Sequence, residues 1–221
     1  MTNENDSFIR EVNEELRSDQ MKAIWRQYGL LIVGVAVAIV LGTAVYRGYT
    51  YWSGLQASAS GDRFLAAMKL ASDNKTDEAV AAFAELEKDG YGSYPVLARM
   101  RAATLQAEKD PKVAIAELTA VAEDSKVPDA IRDVARLRAG WLMVDTAPYA
   151  DVSKEIEVLT DPQNPMRHSA REALGLSAYK NGDFKRAADW YKAIGNDQQT
   201  PVNVGNRAKI MLDLLTADGK G

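Results

Sequence analysis

The sequence predicts an all-α protein in which a single N-terminal transmembrane helix precedes a solenoid of helical hairpins. An uncharged apolar run of bilayer-spanning length lies near the N-terminus. Beyond it, helical stretches of about 12–18 residues alternate with short polar or Pro- and Gly-containing breaks. A pattern of small and large apolar residues recurs in this second part, and no stretch shows the two-residue alternation of β-branched residues that is typical of strands.

The composition excludes several classes of function. The 221 residues carry a formal net charge of -4 without a basic block, which argues against a nucleic-acid partner. Cysteine is absent and His168 is the sole histidine, so disulfides, thiolate zinc sites and paired-histidine metal sites are excluded. No nucleotide-binding, serine-hydrolase or zinc-protease motif occurs. We therefore expect no enzymatic activity, no cofactor, no metal and no small-molecule substrate.

Residues 1–26 predict an amphipathic cytoplasmic leader. Phe8, Val12 and Leu16 follow one another at four-residue steps, which places them on one face of a helix. Such a helix can seat the following span at the membrane interface, or it can dock a cytoplasmic partner or act as a degradation signal. The sequence leaves these roles of the leader open.

Residues 27–46 predict the transmembrane helix, with membrane lipid around it. Twenty residues separate Arg26 from Arg47, and a helix of that length spans about 30 Å, the thickness of the hydrocarbon core of a bilayer. Aromatic residues flank the run on both sides, as in the aromatic belts of spanning helices: Trp25, Tyr28, Tyr46, Tyr49, Tyr51 and Trp52. A cleaved signal peptide is the alternative, but the apolar run is longer than a signal sequence requires.

The basic residues around the span predict its orientation. Arg17, Lys22 and Arg26 lie close before the run, whereas only Arg47 lies close after it. The N-terminus is therefore expected in the cytoplasm, and the C-terminal domain is expected in the periplasm of a bacterial cell, as a single-pass inner-membrane protein. Residues 47–60 form a predicted juxtamembrane linker, whose segment 53–60 is compatible with either a helix or a flexible chain. The periplasmic domain is expected over residues 61–218.

The C-terminal part contains an internal repeat. Its clearest copy is GDFKRAADWYKAI at residues 182–194, and residues 74–86, 109–121 and 147–159 align with it without gaps. Each copy has a small anchor residue followed by large apolar residues four and seven positions later. The anchors, separated by 35, 38 and 35 residues, are Ala79, Ala114, Val152 and Ala187.

A small residue also lies twelve positions before each anchor, in the preceding helix: Ala67, Ala102, Gly140 and Gly175. This arrangement matches the tetratricopeptide pattern, a helix–turn–helix of about 34 residues. We expect each small residue to face the anchor of its own repeat, and the large residue four positions later to fill the gap to the next repeat. Residues 201–215 are expected to form a terminal capping helix whose inner face comprises Val204, Ala208, Met211, Leu212 and Leu215.

Three further segments carry a resemblance to a known family. They are the leader FIREVNEELRSDQMKAIWRQYG, the RGYTYW after the span, and GYGSYPVLARMRAATLQAEKD at residues 90–110. With the overall layout, they resemble the ancillary SecYEG translocon subunit family, also called YfgM-like proteins. The resemblance implies an accessory protein of the Sec translocon, with translocon subunits and a membrane-anchored periplasmic chaperone as partners. A tetratricopeptide scaffold for another envelope complex, in division or outer-membrane assembly, is the alternative function.

First helices of such repeats line a concave surface, and this predicts a protein-binding groove. The predicted groove residues are Phe64, Met68, Val96, Arg99, Leu137, Trp141, Leu176 and Tyr179. A contiguous apolar face of this kind is typical of an interaction site, although a tight superhelix or the capping helix can also bury it. Other polar candidates favour plain structural roles: we expect His168 to be exposed or capping at a helix start, and Glu155 and Glu157 to lie on a solvated helix face.

Overall fold

A computed structural model describes residues 3–219, with side chains described for Glu14 and for residues 16–219. Within this range the chain is helical and has no strand, so the predicted all-α class is confirmed. The helices are α1 (Asn3–Ser72), α2 (Thr76–Asp89), α3 (Tyr94–Gln106), α4 (Pro111–Glu123), α5 (Asp129–Met143), α6 (Tyr149–Ile156), a 3₁₀ helix (Glu157–Thr160), α7 (Arg167–Lys180), α8 (Phe184–Gly195) and α9 (Val202–Ala217). The chain divides into two compact units between Gln56 and Ala57.

The first unit contains the apolar run. Among the described residues, one helix is long and apolar enough to cross a membrane. Its apolar side chains are exposed along the run, with Leu30 at 94% and Val45 at 73%. An apolar surface left uncovered by protein is compatible with a single-pass membrane anchor. The leader residues Phe8 and Val12 lie outside the part of the chain whose side chains are described, so the amphipathic face of the leader stays a prediction. The orientation of the span in the membrane also stays a prediction.

Residues 53–60 are helical and form part of α1. The hydroxyl of Ser53 donates to the carbonyl oxygen of Thr50 at 3.1 Å, a bond that a helix accommodates at this spacing. The alternative that the sequence left open for this segment is thus resolved in favour of the helix, and the boundary between the units falls inside the predicted linker.

The second unit is a stack of helical hairpins with the predicted repeat. The C-terminal end of α1 packs with α2, and α3 with α4, α5 with α6 and α7 with α8 follow in order. The anchors and the large residues four and seven positions after them are no more than 2% exposed in all four repeats. These buried positions are Ala79, Phe83, Leu86, Ala114, Leu118, Val121, Val152, Ile156, Leu159, Ala187, Tyr191 and Ile194. The repeat spacing predicted from the sequence is therefore confirmed.

The two glycines of the first helices allow close packing within a hairpin. A Cβ atom on Gly140 would lie 2.2 Å from Cγ2 of Ile156, and one on Gly175 would lie 2.9 Å from Cζ of Tyr191. The atoms nearest to each glycine thus belong to the large residue four positions after the anchor. Ile156 also shares a buried cluster with Ala170 and Leu174 of the next repeat, so this residue fills the gap as expected and in addition packs against the small residue of its own repeat.

Local sequence explains where the hairpins turn. The carboxylate of Asp110 accepts hydrogen bonds from the backbone N–H groups of Lys112 and Val113 and caps α4, which has proline at its first position. Asp183 caps α8 in the same way by accepting from the N–H of Arg186. Gly182, just before it, has φ +79, a conformation that L side chains rarely adopt.

The second repeat differs from the others by one residue. Ala103 is buried at 2% exposure, whereas Ala102, which the alignment placed at this position, is only half-buried. The buried small residue therefore precedes the anchor Ala114 by one position fewer than in the third and fourth repeats. The alignment of Ala102 with Gly140 and Gly175 is wrong, and this shift changes which α3 residues face the neighbouring first helices α1 and α5.

Helix α9 covers the last repeat, as predicted. Val204, Ala208 and Leu215 are buried, and Met211 and Leu212 pack half-buried against the same cluster. An ion pair adds to the apolar contact: the Nε and Nη2 atoms of Arg207 donate to the carboxylate of Glu172 at 2.5 and 2.7 Å.

Candidate functional site

The first helices of three successive repeats enclose an apolar cleft of about 230 Å³. We call it the first-helix cleft. Its lining side chains come from the end of α1, from α3 and from α5: Phe64, Leu97, Met100, Arg101, Ala130, Ile131, Val134 and Arg138. Two guanidinium groups, those of Arg101 and Arg138, thus lie among apolar side chains in this cleft.

Two of the predicted groove residues belong to this region. Phe64 lines the first-helix cleft and packs its ring 5.3 Å from that of Phe83 and 5.9 Å from that of Tyr94. Met68 contacts the cleft residue Arg101 through its sulfur. Both side chains are half-buried, which leaves part of each accessible.

Val96 and Arg99 of α3 lie elsewhere. Val96 packs against the core shared by α3, α4 and α5. Arg99 pairs with Glu117 of α4 at 2.8 Å and lies 3.7 Å from Glu87 of α2, so it faces the second helices and not the cleft. The one-residue shift at Ala103 accounts for this, because the same groove spacing counted from Ala103 gives Met100 and Leu97.

The remaining predicted groove residues lie further along the stack. Leu137, Trp141 and Leu176 pack half-buried against the core of the third repeat. Tyr179 packs its ring 5.5 Å from that of Phe184, next to the core that α9 covers. The structure therefore does not gather the predicted set into one cleft, and a role of these side chains in partner binding stays a prediction.

Arg101 makes an unusual contact in the first-helix cleft. Its Nε and Nη2 atoms point at the sulfur of Met68, at 3.0 and 2.9 Å. A thioether is a weak hydrogen-bond acceptor, and it carries no charge to balance the guanidinium. The same Nε and Nη2 groups can donate to the two oxygens of one carboxylate, as a bidentate pair of hydrogen bonds.

Arg138 lies near Arg101 and adds a second positive charge. Burial, and then the charge of Arg101, hold the pKa of the Arg138 guanidinium below its usual range. Among the described residues neither arginine has an ion-pair partner. The other arginines of the second unit each lie 2.5 to 3.8 Å from a carboxylate oxygen: Arg63, Arg99, Arg132, Arg136, Arg167, Arg171, Arg186 and Arg207.

A second polar cluster lies where α7 begins and is closed by its own contacts. Asp197 accepts from Arg167 at 2.8 Å and from Arg171 at 3.2 Å, and the bond from Arg167 is the main cause that holds the pKa of the Asp197 carboxyl well below its usual range. His168 is 6% exposed and lies 3.1 Å from the hydroxyl of Thr200. Of the two alternatives expected for His168, exposed or capping, the exposed one is wrong, since Asp197 and Thr200 of the α8–α9 loop contact the side chain.

Glu155 also departs from the solvated face expected for it. Burial raises the pKa of its carboxyl, and Arg136, whose Nε lies 3.8 Å away, only partly opposes the shift. Its Oε1 atom has no hydrogen-bond partner among the described residues. Glu157, in contrast, is exposed and accepts from the hydroxyl of Ser153.

Comparison with known proteins identifies the family. No group of three or more histidine or acidic side chains among the described residues is placed to hold a metal ion. No curated protein and no solved structure matches the chain. The family model described as a tetratricopeptide repeat-like domain matches residues 22–215, which include the apolar run and nearly all of the hairpins. The chain therefore belongs to the tetratricopeptide repeat-like domain family.

Proposed function

We propose that this protein is an inner-membrane accessory subunit of the Sec translocon that binds partner proteins and links translocation to a membrane-anchored periplasmic chaperone. The observation that carries the protein-binding part is the first-helix cleft, where apolar side chains and two unpaired arginines are left open in a helical-repeat fold. Uncovered apolar surface with defined polar groups is typical of sites that receive another chain.

The membrane anchor supports the cellular setting of this proposal. The apolar run offers a permanent tether for the repeat domain, and a tethered binding module acts on chains that reach the same membrane. Helical-repeat domains of this family are typically scaffolds and not enzymes, and this too supports a binding role. The assignment to the translocon rests on the resemblance of the leader, of RGYTYW and of residues 90–110 to the ancillary SecYEG translocon subunits.

Site-specific photo-crosslinking in cells tests the proposed function. A photoreactive residue at Leu97, which lies in the cleft and is 36% exposed, should capture translocon subunits or a periplasmic chaperone. The same residue at Val158, 62% exposed in the 3₁₀ helix and outside the cleft, is the matched control. Mass spectrometry of the products identifies the partners.

Each outcome of this experiment decides a separate point. Crosslinks to division or outer-membrane assembly proteins alone would overturn the translocon assignment and favour the envelope scaffold. Equal and diffuse crosslinking from Leu97 and Val158 would overturn the cleft as the partner-binding surface.

Labelling of single introduced cysteines tests the proposed topology. Because the sequence has no native cysteine, a maleimide labels only the introduced thiol. Ser18→Cys and Lys126→Cys place single thiols before the span and in the exposed α4–α5 loop. A maleimide that crosses the outer but not the inner membrane should label Lys126→Cys and spare Ser18→Cys until the cells are lysed. The reverse labelling pattern would refute the orientation inferred from Arg17, Lys22 and Arg26.

A further inference from the structure

We propose that the first-helix cleft binds a peptide segment of the partner in which an acidic side chain adjoins a large apolar side chain, with Arg101 and Arg138 contacting the carboxylate. This inference rests on the proposed function as a protein-binding module and names the chemistry that the cleft recognises.

The hydrogen bonds of Arg101 indicate an acceptor that the free protein does not supply. Nε and Nη2 both converge on the sulfur of Met68, at 3.0 and 2.9 Å. A carboxylate placed where the sulfur lies would accept both donors at once, as charge-assisted bonds. Met68 has an unbranched, flexible side chain, so it can leave this position without a change of the backbone.

The charge balance of the cleft points to a ligand with negative charge. Among the described residues Arg101 and Arg138 form no ion pair with a carboxylate, although every other arginine of the second unit is paired. The fold thus supplies counter-charges for arginines on its other surfaces and leaves the cleft with two positive charges. An incoming carboxylate relieves the repulsion between them and gains from both.

The apolar side chains that line the cleft favour a peptide with an apolar side chain next to the acidic one. Phe64, Leu97 and Val134 present apolar surface in the same cleft. A peptide with only acidic residues would leave this surface in water, whereas a neighbouring apolar side chain buries it. The combination favours an acidic–apolar pair within a peptide over a free anion.

A displayed random peptide library, selected against the full chain in nanodiscs, tests the inference. Selection on the unaltered protein should enrich Asp or Glu within one helical turn of Leu, Ile or Phe. The Arg101→Gln/Arg138→Gln double variant should retain apolar preference but lose the acidic preference. An enriched peptide, made synthetically, should bind this variant at least about tenfold more weakly in fluorescence anisotropy, the loss expected for a hydrogen bond to a charged group.

The matched control is Arg63→Gln/Arg186→Gln, which removes the same charge from arginines that are 43% and 51% exposed and paired with carboxylates. This control should select and bind peptides as the unaltered protein does. A loss of affinity equal to that of the cleft variant would assign the effect to net charge and overturn the site. Far-UV circular dichroism of both variants checks that each keeps its helical content.

Two more results would overturn the inference while leaving the proposed function standing. One is a library with no acidic enrichment although Leu97 still crosslinks to protein partners in cells. The other is displacement of the selected peptide by dihexanoyl phosphatidylglycerol at concentrations where dihexanoyl phosphatidylcholine and inorganic phosphate have no effect, which would make an anionic lipid headgroup the occupant. The proposed function is refuted by a separate result, the absence of crosslinks from Leu97 to protein partners in cells.

Discussion

Replacement of Gly140 by alanine tests whether the close approach of α5 and α6 holds the third repeat together. The new Cβ atom would lie 2.2 Å from Cγ2 of Ile156, and Ile156 is fully buried, so its side chain has no free space to enter. Overpacking of this kind costs about 1–3 kcal/mol, and the short distance favours the upper end. Alanine regains about 1 kcal/mol from its higher helix propensity. The net loss of stability is therefore about 2 kcal/mol, or about 4–8 °C in melting temperature for a domain of this size.

The matched control is Gly205→Ala in α9, where the new Cβ atom would meet only Cγ2 of Thr200, at an ordinary 3.5 Å. The same substitution should here raise stability by up to about 1 kcal/mol. Thermal and urea unfolding of the full chain in detergent, followed by circular dichroism, measures both. If Gly140→Ala leaves the stability unchanged or raises it, as Gly205→Ala is expected to do, packing does not require glycine at this position and the prediction is refuted. In the double variant Gly140→Ala/Ile156→Ala the losses should be less than additive.

Two further predictions concern carboxylates that are buried or half-buried. Arg207→Ala should lower the stability of the full chain by about 1–3 kcal/mol in urea unfolding. The reason is that Glu172, whose side chain is 11% exposed, loses its hydrogen-bonded cation. An unchanged unfolding midpoint would show that α9 docks without this pair. Asp197 and Glu155 should give opposite pH dependences. The pKa of Asp197 is lowered in the fold, so the ionised carboxylate stabilises the folded protein at neutral pH. This stabilisation is lost on acidification below the pKa that Asp197 has in the unfolded chain. Asp197→Asn should therefore destabilise the protein at pH 7 but less at pH 3. The pKa of Glu155 is raised, so its charged form disfavours folding at neutral pH, and Glu155→Gln should stabilise at pH 7 with a gain that shrinks on acidification; parallel profiles from the two variants would contradict both assignments.

The sequence was sufficient for the fold because the repeat leaves a periodic trace. In each hairpin one small and two large apolar residues must face the core at fixed steps, so Tyr191 and Ile194 after Ala187 identified the pattern and the weaker copies aligned with it. Gly140 and Gly175 followed from the same reasoning. What periodicity could not give was the partner of each glycine, because that depends on the distance and rotation between helices and not on spacing along them.

The site was less predictable, for a reason visible in α3. Ala98, Ala102 and Ala103 are all small, so the sequence allows two alignments of this helix with the other first helices. The structure buries Ala98 and Ala103, which turns Leu97, Met100 and Arg101 towards the cleft in place of Val96 and Arg99. His168 escaped prediction for a different reason: the residues that cover it lie in the α8–α9 loop, where no periodic signal exists.

The stability of the arginine variants separates a binding role from a structural one. A structural arginine is paired, and its removal leaves a carboxylate without a partner, as expected at Arg207. Arg138 has no ion-pair partner among the described residues, so its replacement leaves no carboxylate unpaired. The lowered pKa of Arg138 means that the folded protein disfavours its positive charge. Arg138→Gln should therefore unfold at the same or a higher urea concentration than the unaltered protein, while the selected acidic–apolar peptide binds it more weakly. A lower unfolding midpoint would mean that the cleft arginines serve the fold, and the case for a peptide carboxylate in the cleft would lose its energetic basis.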